Sequence, residues 1–240
     1  ILPLLIIFFW FIFTYTGKVP PTSLPSLSAV KDTFIEMLKS GQLSNDLSLS
    51  LRRVLAGFFI SSVLGISLGI FMGISSKAKE FFQLTLTAIR QIPMIAWIPL
   101  IILWTGIGEV SKIVVILFAA TFPIVVNTMG GVDSTSETYL EVAKMYGLSK
   151  KDTFFKVYLP SALPNIFTGL RLGLGASWMA VVASELIASS SGIGYRLNDA
   201  RSLMRSDVVI VCMIIIGLVG LLMDKLIVLI SHELTPWKKN

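Results

Sequence analysis

Ser134-Thr135-Ser136-Glu137-Thr138-Tyr139-Leu140-Glu141-Val142-Ala143-Lys144-Met145-Tyr146-Gly147, then after nine residues Val157-Tyr158-Leu159-Pro160, is a polar insert in a chain otherwise composed to dissolve in a membrane. It lies between the apolar spans 112–132 and 166–188, so its function lies in water. Ser134 and Glu137 have the form of a capping box, which predicts a helix starting near Thr135. Tyr139, Val142, Ala143 and Tyr146 recur at helical spacing and make one apolar face. Gly147 suits the left-handed position that ends a helix. Ser149 and Asp152 repeat the start signal, and Pro160 is expected to close a second short helix. The result is two short helices at a tight corner. On periodicity alone it reads equally as an ordinary surface hairpin.

Composition sets the class. Hydrophobic residues make up 54% of the chain and charged residues 14%, and the mean hydropathy is +0.81. A soluble domain carries about 25% charged residues. The chain is therefore all-α and integral to a membrane. Helices are the open-chain solution in lipid, because every backbone polar group must be paired within its own segment. The net charge of +6 does not point to nucleic acid, since Lys and Arg sit in the connecting loops. One cysteine, Cys212, lies inside a span, and one histidine, His232, near the end. No disulfide framework or multi-His metal centre follows from that count. No G-x-x-x-x-G-K-[ST] phosphate loop is present, so we expect no bound nucleotide, cofactor or metal in this chain.

Six spans are expected, in a single membrane domain over residues 1–240. They are 1–16, 49–74, 81–104, 112–131, 166–188 and 207–230, with an amphipathic helix near 29–39. The third contains Pro93 and Pro99 and the fourth Pro123, breaks tolerated beside protein or a water-filled cavity. The chain opens at Ile1 without Met, and we expect a basic tail ahead of it; a signal peptide is the rival reading, but no small-residue cleavage site follows.

Gly57, Ser61, Gly65, Gly69 and Gly73 repeat every four residues, and Gly169, Gly173 and Ser177 do the same in the fifth span. Such stripes admit a close helix, more often from the same chain than from another. Charges inside a span are costly, so each needs a reason. Glu185 is read either as a pathway or gate residue or as an acid paired with Arg196 or Arg201. Arg90 and Arg171 are placed near inner ends, where they snorkel. Asp224 and Lys225 are expected to find partners on neighbouring helices. Asn127, Ser177, Trp178, Ser184 and Glu185 are the candidates for lining a translocation path.

The order Glu141-Val142-Ala143, Gly147, Val157-Tyr158-Leu159-Pro160 resembles the cytoplasmic "EAA" loop of bacterial ABC importer permeases, with Val142 where Ala is usual. Arg90-Gln91-Ile92-Pro93-Met94-Ile95-Ala96-Trp97-Ile98-Pro99-Leu100 is similar to a signature of the nitrate/sulfonate/taurine-type permeases. Asn127-Thr128 with Gly131, Leu159-Pro160-Ser161-Ala162-Leu163-Pro164, Thr168-Gly169-Leu170-Arg171, Ala183-Ser184-Glu185-Leu186, Gly192-Ile193-Gly194-Tyr195 and Pro236-Trp237 resemble further pieces of that family. The run Ser189-Ser190-Ser191 departs slightly from its spacing.

The resemblance implies a six-helix ABC importer permease fold with a coupling loop at about 132–165. Its ATPase-coupling residues would be Glu141, Ala143, Gly147, Leu159 and Pro160. It implies a non-catalytic permease in the bacterial cytoplasmic (inner) membrane, working as a homodimer with two copies of a separate ATPase subunit. A periplasmic or lipid-anchored binding protein would deliver a small solute, such as a sulfonate, taurine, nitrate or bicarbonate. Orientation rests on this resemblance, because the positive charges count eight on the loop's side and nine on the other. A vitamin-precursor importer is the alternative within the family. An ion-coupled secondary carrier is the alternative outside it, but no half-to-half repeat supports it. A membrane-embedded enzyme would need a nucleophile–base pair or metal cluster that one His and one Cys do not supply.

Overall fold

The computed structural model describes residues 2–17, 19, 20 and 22–236. The expected family piece ending at Trp237 thus lies partly outside the described residues, as do Lys18, Lys238 and Lys239. Among the described residues every regular element is helical. In chain order they are α1 (Leu2–Tyr15), α2 (Leu27–Lys39), α3 (Gln42–Ile74), α4 (Ser76–Gln91), α5 (Met94–Thr105), α6 (Glu109–Asp133), α7 (Glu137–Met145), α8 (Lys150–Thr153), a π-helical turn (Phe154–Tyr158), α9 (Leu159–Ala188), α10 (Ile193–Ser202) and α11 (Ser206–Leu234).

Among the described residues four helices are long and apolar enough to cross a membrane: Gln42–Ile74, Glu109–Asp133, Lys150–Ala188 and Ser206–Leu234. A fifth crossing is formed if α4 and α5 count as one broken span, bent by 100°. The expected third span is therefore two helices. Pro93 has no N–H to give and pushes Ile92 out of the helical region, to φ −80° and ψ 120°. Pro99 and Pro123, expected to break their spans, lie inside α5 and α6. The first expected span appears as α1, whose 14 described residues are about 21 Å long. That is less than the roughly 30 Å of a hydrocarbon core.

The chain forms two compact units: 1–52 with 182–220, and 53–181 with 221–240. In the first, Ser26 caps α2 through its hydroxyl, and Thr33 donates to Asp207 at 2.7 Å. In the second, the four-residue stripe of α3 packs on α6 of the same chain. A Cβ on Gly57, Gly65, Gly69 or Gly73 would sit 2.6–2.7 Å from Ile116, Ile124, Thr128 or Val132 respectively. Ser61 completes the row, donating to Gly57 O within its own helix at 2.7 Å. Gly169 and Gly173 of α9 face Asn127 and Ile124 on α6, so this stripe too is used within the chain. Close approach of backbones is what small residues provide where lipid gives no hydrophobic drive. The apolar cluster Val132, Ala162 and Ile166, with Leu159 packed against it, joins α6 to α9.

Candidate functional site

The insert between α6 and α9 takes its shape from caps. Ser134 does not start a helix, contrary to the expected capping box. Its N–H bonds back to Gly130 O and its hydroxyl donates to Gly131 O, so it ends α6. Ser136 stands at the N-cap of α7 instead. At the other end Gly147 adopts φ +64°. Its N–H bonds Lys144 O at 3.0 Å, and Leu148 N–H bonds Ala143 O at 3.0 Å. These two bonds make a Schellman motif, with glycine at the left-handed position. Ser149 then caps α8, accepting from Asp152 N–H at 3.1 Å.

Pro160 does not close this second helix. Residues 150–188 run on as one helical path. The carbonyl four residues before Pro160 belongs to Lys156, inside the π turn, where the wider backbone removes the usual clash with the proline ring. Pro164 is likewise inside α9.

The apolar face of α7 is left open. Tyr146 is 83% exposed and Met145 85%, with Tyr139 and Val142 also exposed. Ala143 is buried at the seam, where its small side chain admits the chain following α8. Between them lies an open groove of about 670 Å³, lined by Tyr139, Val142, Ala143, Tyr146, Val157 and Pro160 among others. Glu141 is exposed beside it. The structure thus brings Ala143 and Pro160 to one groove, while Glu141 and Gly147 lie outside its lining and Leu159 packs inward on the Val132 cluster. Met145 was missed in the sequence; its place two residues before Gly147, beside Tyr146, was the available signal.

The path candidates separate. Ser177, Trp178, Ser184 and Glu185 are all buried. Ser177 donates to Gly173 O at 2.9 Å. Glu185 was expected to meet Arg196 or Arg201, yet Arg196 donates to Asp46 at 2.9 Å. Glu185 accepts from Ser50 Oγ at 2.8 Å and from Gly194 N–H at 3.0 Å. Ser50 in turn accepts from Ile193 N–H at 3.0 Å, and Asp46 from Gly192 N–H at 3.2 Å. Three side chains so take the first backbone donors of α10, which complements the positive end of that helix. Gly192 has φ +104°, and a Cβ there would lie 2.4 Å from the Glu185 carboxyl carbon. Asp46 and Ser50 were missed in the sequence; their mark is polarity in the first turns of an otherwise apolar helix.

Asn127 is partly buried on α6 and donates to Pro123 O at 2.8 Å. It borders a cavity of about 370 Å³ together with Arg90, Trp97 and Phe118. Arg90 lies in the last turn of α4, about 21 Å along the helix from Ser76. Arg171 does not merely snorkel; its Nε and Nη2 donate to the two oxygens of Asp224 at 2.6 and 2.7 Å. Arg53 and Lys112 share Glu109. Among the described residues no group of three or more His, Cys, Asp or Glu is placed to hold a metal.

Residues 61–235 match the family described as "Binding-protein-dependent transport system inner membrane component". The chain is 40% identical to an ABC transporter permease protein named from Methanocaldococcus jannaschii, covering 91% of this chain and 84% of that one. It is 35% identical to the taurine transport system permease protein TauC of Escherichia coli (80% and 70% covered). It is 38% identical to the nitrate import permease protein NrtB of a Synechocystis strain (78% and 68% covered). The fold is similar to that of a crystallised amino acid ABC transporter solved with histidines, at TM-score 0.68, 16% identity, and 83% and 98% coverage.

Proposed function

Since this chain belongs to the family of binding-protein-dependent transport system inner membrane components, we propose that α7 and the groove behind it are the face on which an ATPase subunit docks, and that the chain passes a small oxyanion. Family membership makes it the permease subunit of an ABC importer and a multi-pass protein of the inner membrane. Its ATPase is a separate subunit, and a substrate-binding protein completes the importer. In our reading the 240 residues act as one permease domain, and two copies pair with two ATPases. The loop 132–165 lies on the cytoplasmic side.

The observation that carries the docking reading is the open apolar face of α7. Tyr139, Val142, Met145 and Tyr146 stand out into water on a helix whose C-terminal end is fixed by the Gly147 cap. Aromatic and Met side chains around an apolar groove are the composition of interface cores. Glu141 rims that face, Ala143 sets the seam, Gly147 fixes its end, and Leu159 with Pro160 links it to α9. Since residues 150–188 form one helical path, a push on α7 reaches α9 without a loose linker.

The substrate reading is supported by the relatives named for taurine and nitrate, which share an oxyanion head. In this reading Asn127 borders the path. Ser177 and Trp178 are a buried wall that rotation of α9 uncovers, and Glu185 separately holds the start of α10.

The test is titration of the purified ATPase onto this chain in nanodiscs. Tyr146→Asp, Val142→Asp and Glu141→Lys should each weaken binding by on the order of tenfold or more, as expected for interface anchors. Unchanged binding in all three would remove α7 as the docking face.

A further inference from the structure

We infer that Arg90 and Asn127 form an oxyanion subsite within the permease, which deepens the substrate reading above and rests on it. Arg53, Arg171, Arg196 and Arg205 each meet a carboxylate. Arg90, like Arg52 and Arg201, makes no ion pair among the described residues, and what sets it apart is the wall it lines. It is exposed, and it lies on the wall of two cavities, of about 370 and 180 Å³. Among the described residues neither cavity has an acid in its lining, and Arg90 is the one ionisable group there on both. An arginine within the membrane domain is costly unless an anion or water meets it.

The chain geometry puts it there. Pro93 ends α4 at Gln91, and α5 leaves at 100°, so no further turn of helix covers the guanidinium. Asn127 is opposite on α6. One of its amide hydrogens is taken by Pro123 O, leaving a second N–H and an oxygen. Trp97 and Phe118, with ring centres 5.5 Å apart, give the larger cavity an aromatic side. Gln83 and Thr87 add neutral polar groups to the smaller one. A planar guanidinium fork holds two oxygens of a sulfonate or nitrate at once. An amide N–H adds a third contact, and the aromatic side takes a short organic tail. The absence of acids in both linings disfavours cations. Arg90, shared by the two cavities, would hand the anion from one to the other.

A lipid phosphate has the same chemistry as such a head group, so the test must separate the two. A single cysteine is placed at Val126, which lines both cavities, in a Cys212→Ala background. The protein, in phosphatidylcholine nanodiscs, is labelled with a methanethiosulfonate reagent carrying a sulfonate and with one carrying a trimethylammonium. With Arg90 present the anionic reagent should react on the order of tenfold faster than the cationic one, as local potential raises the effective concentration of counter-ions. Arg90→Lys should keep most of that ratio, and Arg90→Gln should bring it to about one. Millimolar taurine, ethanesulfonate or nitrate should slow labelling with Arg90 and not with Arg90→Gln. An unchanged ratio in Arg90→Gln overturns the subsite. So does protection by phosphatidylglycerol nanodiscs with none from the free anions, since the lipid then holds Arg90. ATPase titration of each variant checks its fold. Normal ATPase docking with no charge effect at Val126 sinks the subsite and leaves the docking face standing, since that face falls only on unchanged binding in the α7 variants.

Discussion

Replacing Gly147 tests the proposed docking corner most directly. The residue has φ +64°, and no atom lies within 4 Å of where a Cβ would be built. A substitution there meets no steric obstacle, so its whole effect is the left-handed backbone. That costs an L-residue roughly 1–2 kcal/mol, less for Asn, whose short polar side chain tolerates the region. The cost falls on the two bonds that end α7, Gly147 N–H to Lys144 O and Leu148 N–H to Ala143 O. Nine residues are too few for a stable isolated helix, so the strain should be relieved by fraying of the last turn. That turn carries Met145 and borders Tyr146, the two most exposed apolar residues of the loop. A local penalty of about 1–2 kcal/mol corresponds to a 5- to 30-fold loss of the competent form. Gly147→Ala and Gly147→Val should therefore weaken ATPase binding within that range, with Gly147→Asn close to wild type. The assay is the dissociation constant of purified ATPase for the chain in nanodiscs, with the thermal midpoint as a check that the membrane helices are intact. Equal affinity in Ala, Val and Asn variants, or Asn as weak as Val, would refute the reasoning.

Two further outcomes are expected. Gly69→Ala places a Cβ 2.6 Å from Thr128 Cβ and 2.8 Å from Val125 O, while at Gly130 nothing lies within 4 Å; thermal melts in detergent should show Gly69→Ala losing about 1–3 kcal/mol and Gly130→Ala much less. Ser50→Ala leaves Ile193 N–H without its acceptor and removes a donor to Glu185, in a buried place; it should cost about 1–3 kcal/mol and speed amide exchange at residues 192–194 but not at 143–148, measured by mass spectrometry.

Much of this molecule was legible along the chain, and the reason is locality. Hydropathy set the class, because lipid imposes its demand on each span separately. Gly147 announced the end of α7, because a left-handed cap needs only the residues around it. The four-residue stripe of α3 announced a close helix, since spacing alone makes a flat face.

What only the tertiary structure decided is which distant groups meet. The stripe did not say that its partner was α6, because flatness is the same towards any neighbour. Pro93 breaks a span, while Pro99 and Pro164 sit within helices; a proline's effect depends on what surrounding helices do for the freed backbone, not on the proline. Pro160 is carried by a π turn that no pattern of apolar residues marks. Ser50 and Glu185 are 135 residues apart, and Arg171 and Asp224 are 53 apart. Buried polar groups must find partners, but the sequence states only the need; the packing of the helices supplies the answer.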